Sequence, residues 1–404
     1  MHTILSSIFE MIEDRDDLNF NTVAELIGCT KQELSSMRTN GCGFRKLLRL
    51  SYLLTPGTQT EVMTEWCKLL NTTESIKQAF EYASITRNKE LLQYLLESFR
   101  REKGEIQKYV AVYQILLDFY NNVITAGDIL ERIEKVGKTK GELAILVDII
   151  KCYYYYFVGN YHLMLESAKE AERAVFKLGA RQIFVKECYL HRLAEVLGHV
   201  SLLLNDLKTA RYYANIIINA DICAKTVSGA YYIVGMTYLT ENSERSLRYL
   251  KLRYEISKTL GEQDIEDNAR RDLDFAKIYH NAQLDADSDP VLRKLQGQAV
   301  SDFELNTIKG ATYHEGDDDF LILLRASAKK TKELMHECRK YFFSKSNYFF
   351  ASLAANEAKR LGESSALIDE FIEFKINTKG DVSFEEDFIG SFSSYSNGSW
   401  AVSA

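Results

Sequence analysis

Residues 195–218 read EVLGHVSLLLNDLKTARYYANIII, and the interpretation of this stretch decides the fold. Apolar residues recur at helical spacing on both sides of Asn205-Asp206-Leu207, a polar break short enough to be a turn. Gly198 stands in the first helix, and Ala210 and Ala214 stand one turn apart on the second. Small residues at these points let two backbones approach more closely than larger side chains allow. The stretch predicts a pair of antiparallel helices in tight contact.

The arrangement recurs along the chain. KCYYYYFVGNYHLMLESAKEA (151–171) places Cys152, the turn Gly159-Asn160-Tyr161, then Ala168 and Ala171 at matching points. YYIVGMTYLTENSERSLRYL (231–250) offers Gly235 and Tyr238. KYFFSKSNYFFASLAANEAKRLG (340–362) gives Asn347-Tyr348 as turn, followed by Ala351, Ala355 and Ala358. QAFEYASITRNKELLQYLLESF (78–99) is a fainter copy. This is the tetratricopeptide pattern in degenerate, unevenly spaced form. Each pair leaves an apolar face that only the next pair covers, so residues 57–378 are expected to wind into a right-handed superhelix. The sequence holds only two prolines, Pro56 and Pro290, as long helical stretches require. The polar segment 284–319 reads as a loop-rich connection whose Asp317-Asp318-Asp319 run is solvated. The Ser- and Gly-rich residues 379–404 read as a flexible tail.

Residues 1–56 follow a different plan. Thr22 is expected to cap a short helix through Val23, Ala24, Leu26 and Ile27, with Gly28-Cys29 as a tight turn. Thr30 caps the next helix, with Glu33 three residues on as a capping box. That helix turns Leu34 and Met37 inward, and a third begins at Phe44. Short helix, glycine turn and capped helix form a helix-turn-helix, whose second helix enters a major groove of double-stranded DNA. Lys31, Gln32, Ser35, Ser36 and Arg38 would lie on that recognition helix, with Arg45 and Lys46 reaching phosphates. Gln32 suits adenine and Lys31 suits guanine, while phosphate contacts position without specifying. Residues 26–56 carry a net charge of +4 within a chain of net charge −7. Phosphate binding, if present, is local.

In a tetratricopeptide array the first helix of each pair lines the concave face. That places Arg192, Glu195 and His199 on one stripe of the clearest repeat. Ile149, Tyr153 and Tyr156 take those positions in the preceding repeat, and Tyr232, Met236 and Leu239 in the following one. Aromatic walls with a few polar groups suit a short peptide.

Other classes are disfavoured. The seven cysteines are scattered without a CxxC pair, which predicts neither a disulfide framework nor a zinc site and points to a reducing, cytoplasmic setting. No apolar run is long enough for a membrane span. Phosphate-loop, nucleophile-elbow and HExxH motifs are missing, so neither an enzyme nor a bound cofactor is expected.

A helix-turn-helix joined to degenerate tetratricopeptide repeats resembles the arbitrium receptor (AimR) family of phage regulators. The likeness is carried by QAFEYASITRN (78–88), YYYYFVGNYHLM (153–164), the Leu-Leu-Asn-Asp-Leu turn with its Ala-Arg-Tyr-Tyr continuation, and SKSNYFFASLAANEAKRLG (344–362). It implies a homodimer whose paired heads read two half-sites. It also implies a short signalling peptide, ending in Arg-Gly-Ala, that binds the repeats and switches off transcription activation in the choice between lysis and lysogeny. Asn347 and Phe349 fall where that family holds its peptide with an acidic residue and an aromatic, and Asn347 departs from the acid. A repeat protein that binds a protein partner under peptide control, without DNA, remains open, as does a scaffold with no small ligand.

Overall fold

The computed structural model describes residues 2–297 and 318–378, and every regular element among them is helical. In chain order these are α1 (His2–Glu13), α2 (Phe20–Leu26), α3 (Lys31–Asn40), α4 (Phe44–Leu54), α5 (Gln59–Lys68), α6 (Thr73–Ile85) and α7 (Lys89–Ser98). There follow α8 (Glu105–Tyr120), α9 (Asp128–Val136), α10 (Gly141–Phe157), α11 (Tyr161–Phe176), α12 (Ile183–Leu203), α13 (Leu207–Ala220) and α14 (Ala224–Thr237). The remainder are α15 (Ser243–Thr259), α16 (Gln263–Tyr279), α17 (Pro290–Leu295), α18 (Asp319–Ala328), α19 (Lys332–Ser344), α20 (Tyr348–Arg360) and α21 (Ala366–Glu373). Two compact units result. Among the described residues, one takes those up to Leu193 together with Asn219–Cys223, and the other takes Ala194–Ile218 and those from Ala224 to Thr378. The change of plan read at residue 56 lies inside the first unit. The tail expected at 379–404 and Asp317 lie outside the described residues.

The repeat turns share one construction. Arg87, Gly159, Asn205 and Ser346 each adopt a left-handed φ, between 56° and 74°. The next residue, Asn88, Asn160, Asp206 or Asn347, donates its backbone N–H to a carbonyl five positions earlier, at 2.8–2.9 Å. Helix ends leave their last carbonyls unsatisfied, and this closure satisfies one of them. The side chains of Asn88, Asn160 and Asn347 then cap the following helix.

The small residues mark close contacts. A Cβ on Gly198 would lie 3.1 Å from Ile233 Cδ1 and 3.5 Å from Tyr213 Cβ, all within the second unit. One on Gly235 would lie 2.6 Å from Leu250 Cγ. Ala210, Ala214, Ala355 and Ala358 are fully buried for the same reason.

At the N-terminus the capping box forms as the spacing predicts, with Glu33 N donating to Thr30 Oγ1 at 3.2 Å and Thr30 N to a Glu33 carboxylate oxygen at 2.9 Å. The cap of α2 differs from the expectation. Asn19 Oδ1 accepts from the Asn21 and Thr22 amides at 2.9 and 3.0 Å, so the helix starts earlier and Thr22 lies within its first turn. Helix α1 buries Ile4, Leu5, Ile8, Phe9 and Ile12, and Phe9 stacks on Phe20 with centroids 5.7 Å apart. Phe44 of α4 packs on Tyr82 and Phe184, joining the head to the repeat helices of the first unit.

Candidate functional site

The helix-turn-helix presents α3 to the outside. Its polar positions Lys31, Gln32, Ser35, Ser36 and Arg38 are exposed, while Leu34 and Met37 are buried against the head. Apolar residues three apart hold one stripe inward, which leaves the opposite face polar. Gly28, at φ 73°, makes the sharp turn that brings α2 against α3.

The cations of this head are used unequally. Arg38 pairs with Glu13 of α1 and lies over the Phe9 ring, its guanidinium carbon 4.3 Å from the centroid. Arg45 donates through Nη2 to Glu187 of α12 at 2.9 Å. The Glu187 side chain is 1% exposed, so a guanidinium placed there neutralises a carboxylate already removed from water. Arg45 is therefore a tether inside the first unit, a role its position in the sequence did not announce. Arg49 Nη1 donates to the Ile27 carbonyl at 3.0 Å, and Lys46 stands 3.9 Å from Glu33. Lys31 and Gln32 make no contact of this kind with the described residues.

The repeat residues scatter likewise. Arg192 is buried and cannot line a ligand surface. Its Nε donates to Glu81 Oε1 at 2.8 Å and its Nη2 to Ser84 Oγ at 2.9 Å, while Tyr113 donates to the other Glu81 oxygen at 2.6 Å. Both charged side chains are 1% exposed. Met236 and Phe349 are buried too, with Ile149 and Leu239. At a helix interface these residues fill the contact between successive pairs, which the concave-face rule did not separate from groove lining. Asn347 is consumed by its turn: Oδ1 accepts from Phe350 N at 3.2 Å and Nδ2 donates to Asp319 Oδ2 at 2.7 Å. Asp318 caps α18, and burial raises the Asp319 carboxyl, so neither belongs to the solvated run expected. In the first unit Tyr153 is buried. Tyr156 is half-buried beside Phe157 and Tyr161, and burial pushes its phenol up.

In the second unit a polar ladder comes together. Glu195 and His199 lie one turn apart on α12, both half-buried. The His199 ring stacks near Tyr232 of α14, with centroids 6.3 Å apart. Arg253 of α15 places its guanidinium 5.0 Å from the other ring centre and pairs with Asp272 of α16, Nε to Oδ2 at 2.6 Å. Burial, with help from Arg253, lowers His199 to about 4, against the pull of Glu195. The imidazole is therefore neutral at pH 7 and able both to donate and to accept. Burial raises Asp272 to about 6, opposed by Arg253. Sequence reading missed Arg253 and Asp272 because it considered only the first helix of each pair.

A family model described as AimR transcriptional regulator-like matches residues 59–360. The AimR transcriptional regulator of Bacillus phage SPbeta is 21% identical over 327 residues, covering 78% of this chain and 84% of its own. That of Bacillus phage phi3T is 21% identical over 335 residues, covering 80% and 87%. Among solved structures, selenomethionine phAimR superposes with a TM-score of 0.67 at 17% identity, covering 91% of this chain and all of its own. A ligand complex of phAimR gives 0.60 at 18% identity, covering 80% and 98%.

Proposed function

The chain belongs to the AimR transcriptional regulator-like family, and from that premise we propose that it is a peptide-responsive regulator that reads double-stranded DNA with α3. It is a transcription regulator and not an enzyme, as its relatives are named. The observation that carries the DNA reading is the capped α3, which buries Leu34 and Met37 and leaves Lys31, Gln32, Ser35 and Ser36 outward at its N-terminal half. A recognition helix needs that geometry, since its first turns meet the base edges. Residues 1–56 act as the reading head, residues 57–378 as the repeat region, and two copies read two half-sites.

The half-buried members of this ladder, Glu195, His199, Tyr232 and Arg253, form the surface assigned to a short peptide, and the buried Asp272 holds Arg253. It combines an aromatic face, a neutral imidazole and both signs of charge, so it can bind a backbone and a charged end together. One ligand-bound relative of the same fold supports a ligand in this class. The peptide acts by binding one conformation better than another, as any ligand-driven switch must. The same proposal extends to control of a phage choice between lysis and lysogeny, as the resemblance read from the sequence implies.

One observation favours the rival reading, a protein partner bound under peptide control without DNA. Arg38 and Arg49 are engaged inside the head and Arg45 against α12, which leaves fewer cations for phosphates than residues 26–56 suggest. Fluorescence anisotropy of the full chain on labelled DNA from around its own gene separates the two. The trial is run with and without synthetic peptides encoded by small neighbouring reading frames. Saturable, salt-sensitive binding altered by one peptide supports the proposal, and no binding at low salt supports the rival.

A further inference from the structure

Beyond α21 the described chain runs on without helix through residues 374–378, and these residues are not loose. Within the second unit they lie along the turn between α12 and α13, about 170 residues earlier in the chain. Asn205 Nδ2 donates to the Phe374 carbonyl at 2.9 Å and to that of Ile372 at 3.3 Å. Ile376 N donates to the Leu204 carbonyl at 3.1 Å. Thr378 N donates to Asp206 Oδ2 at 3.0 Å, and its hydroxyl lies 3.2 Å from the same oxygen and 2.6 Å from Ser201 Oγ. Thr378 is 1% exposed, whereas Phe374, Lys375, Ile376 and Asn377 are exposed. The Phe374 ring also rests on Phe343 and Tyr348, at the α19–α20 turn, with centroids 5.2 and 5.0 Å apart.

We propose that residues 374–378 are a releasable strap that ties the last helix pair to the α12–α13 turn and so sets the curvature of the second unit. Polar anchoring with little apolar burial is the character of a contact that opens locally, since few buried contacts are lost when it lets go. The strap holds the final turn of α12, and Ser201 stands two residues beyond His199. Release therefore loosens the helix that carries Glu195 and His199, and anything that stiffens that helix retains the strap. The two repeat turns it joins are far apart in sequence, so nothing in the local repeat geometry replaces it.

Hydrogen exchange of the full chain, read by mass spectrometry, tests this. In the wild type, peptides spanning residues 374–378 should exchange at least tenfold more slowly than an unstructured segment. The triple variant Asn205→Gly/Asp206→Ala/Thr378→Val keeps the left-handed turn at 205, because glycine tolerates that φ, while removing the side-chain anchors. It should lose that protection and speed exchange at least threefold in residues 200–205 and in α19–α21, with α6–α8 unchanged. Thr378→Ser, which retains the hydroxyl, should behave as wild type. Unprotected 374–378 in the wild type overturns the strap. Loss of protection there alone, with α12 and α19–α21 unaffected, overturns its control of curvature.

Discussion

Replacing Glu81 by glutamine tests whether the first unit is built around a buried ion pair. Glu81 and Arg192 are each 1% exposed, with Nε to Oε1 at 2.8 Å, and Tyr113 binds the second carboxylate oxygen. The substitution keeps the shape but leaves the guanidinium without its countercharge in a place water does not reach. Removing one member of such a pair costs about 3–5 kcal/mol, because the surviving charge stays desolvated. Burial, the largest single influence, discourages the Arg192 charge, yet its pKa is raised because Glu81, Tyr120 and Tyr153 together outweigh it. The assay is equilibrium urea unfolding followed by circular dichroism, for Glu81→Gln, Arg192→Met and the double variant. Each single change should lower stability by at least about 3 kcal/mol, and the double should cost clearly less than the two together, by about 2 kcal/mol or more. A Glu81→Gln loss below about 1 kcal/mol, or strict additivity, refutes the reasoning, because an exposed pair behaves in that way.

Further outcomes follow from other contacts. Arg45→Ala takes a countercharge from the buried Glu187 carboxylate and should destabilise by about 3 kcal/mol, with Glu187→Gln in the same chain restoring most of it in the urea assay. Any DNA-binding loss in Arg45→Ala is therefore confounded by folding. Gly235→Ala puts a methyl 2.6 Å from Leu250 Cγ and 3.2 Å from the Leu250 backbone N, and should cost about 1–3 kcal/mol by the same measurement. His199, held at about 4 by burial, should show a carbon-proton titration midpoint near that value by NMR. Since the folded pKa lies below the ordinary histidine value of 6.5, its contribution to stability is present above 6.5 and is lost as pH falls toward 4. Asp272, raised to about 6, acts with the opposite sign over part of that window, so the acid slope should steepen in Asp272→Asn. A midpoint near 6.5 would show His199 to be solvated.

The fold was legible because its signals are local. Gly198, Ala210, Ala214 and the Asn205-Asp206 break each occupy the contact or turn their chemistry predicts. Thr30 and Glu33 fixed the start of α3 in the same way. The candidate site was less legible because it depends on pairing across distance. Nothing near Arg192 in sequence announces Glu81, and nothing near Arg45 announces Glu187, so a cation that serves the core looks like one that serves a ligand. Asn347 looked like a displaced ligand residue, but the same position in the repeats at Asn88 and Asn160 caps a helix. Comparing the repeats with one another would have shown this. Arg253 and Asp272 lie on α15 and α16, and only the packing of successive pairs brings them to His199 and Tyr232.

The central claim, that α3 reads DNA, is tested most directly by comparing wild type with Lys31→Ala/Gln32→Ala in anisotropy titrations on a fragment from around the chain's own gene, at several salt concentrations. Both side chains are exposed and hold nothing in place within the described residues, so the fold should be untouched. The account predicts specific binding by the wild type and a loss of about 1–3 kcal/mol for each base-reading contact removed, with urea stability unchanged. Equal affinity of the two proteins for the fragment, at every salt concentration, would contradict it.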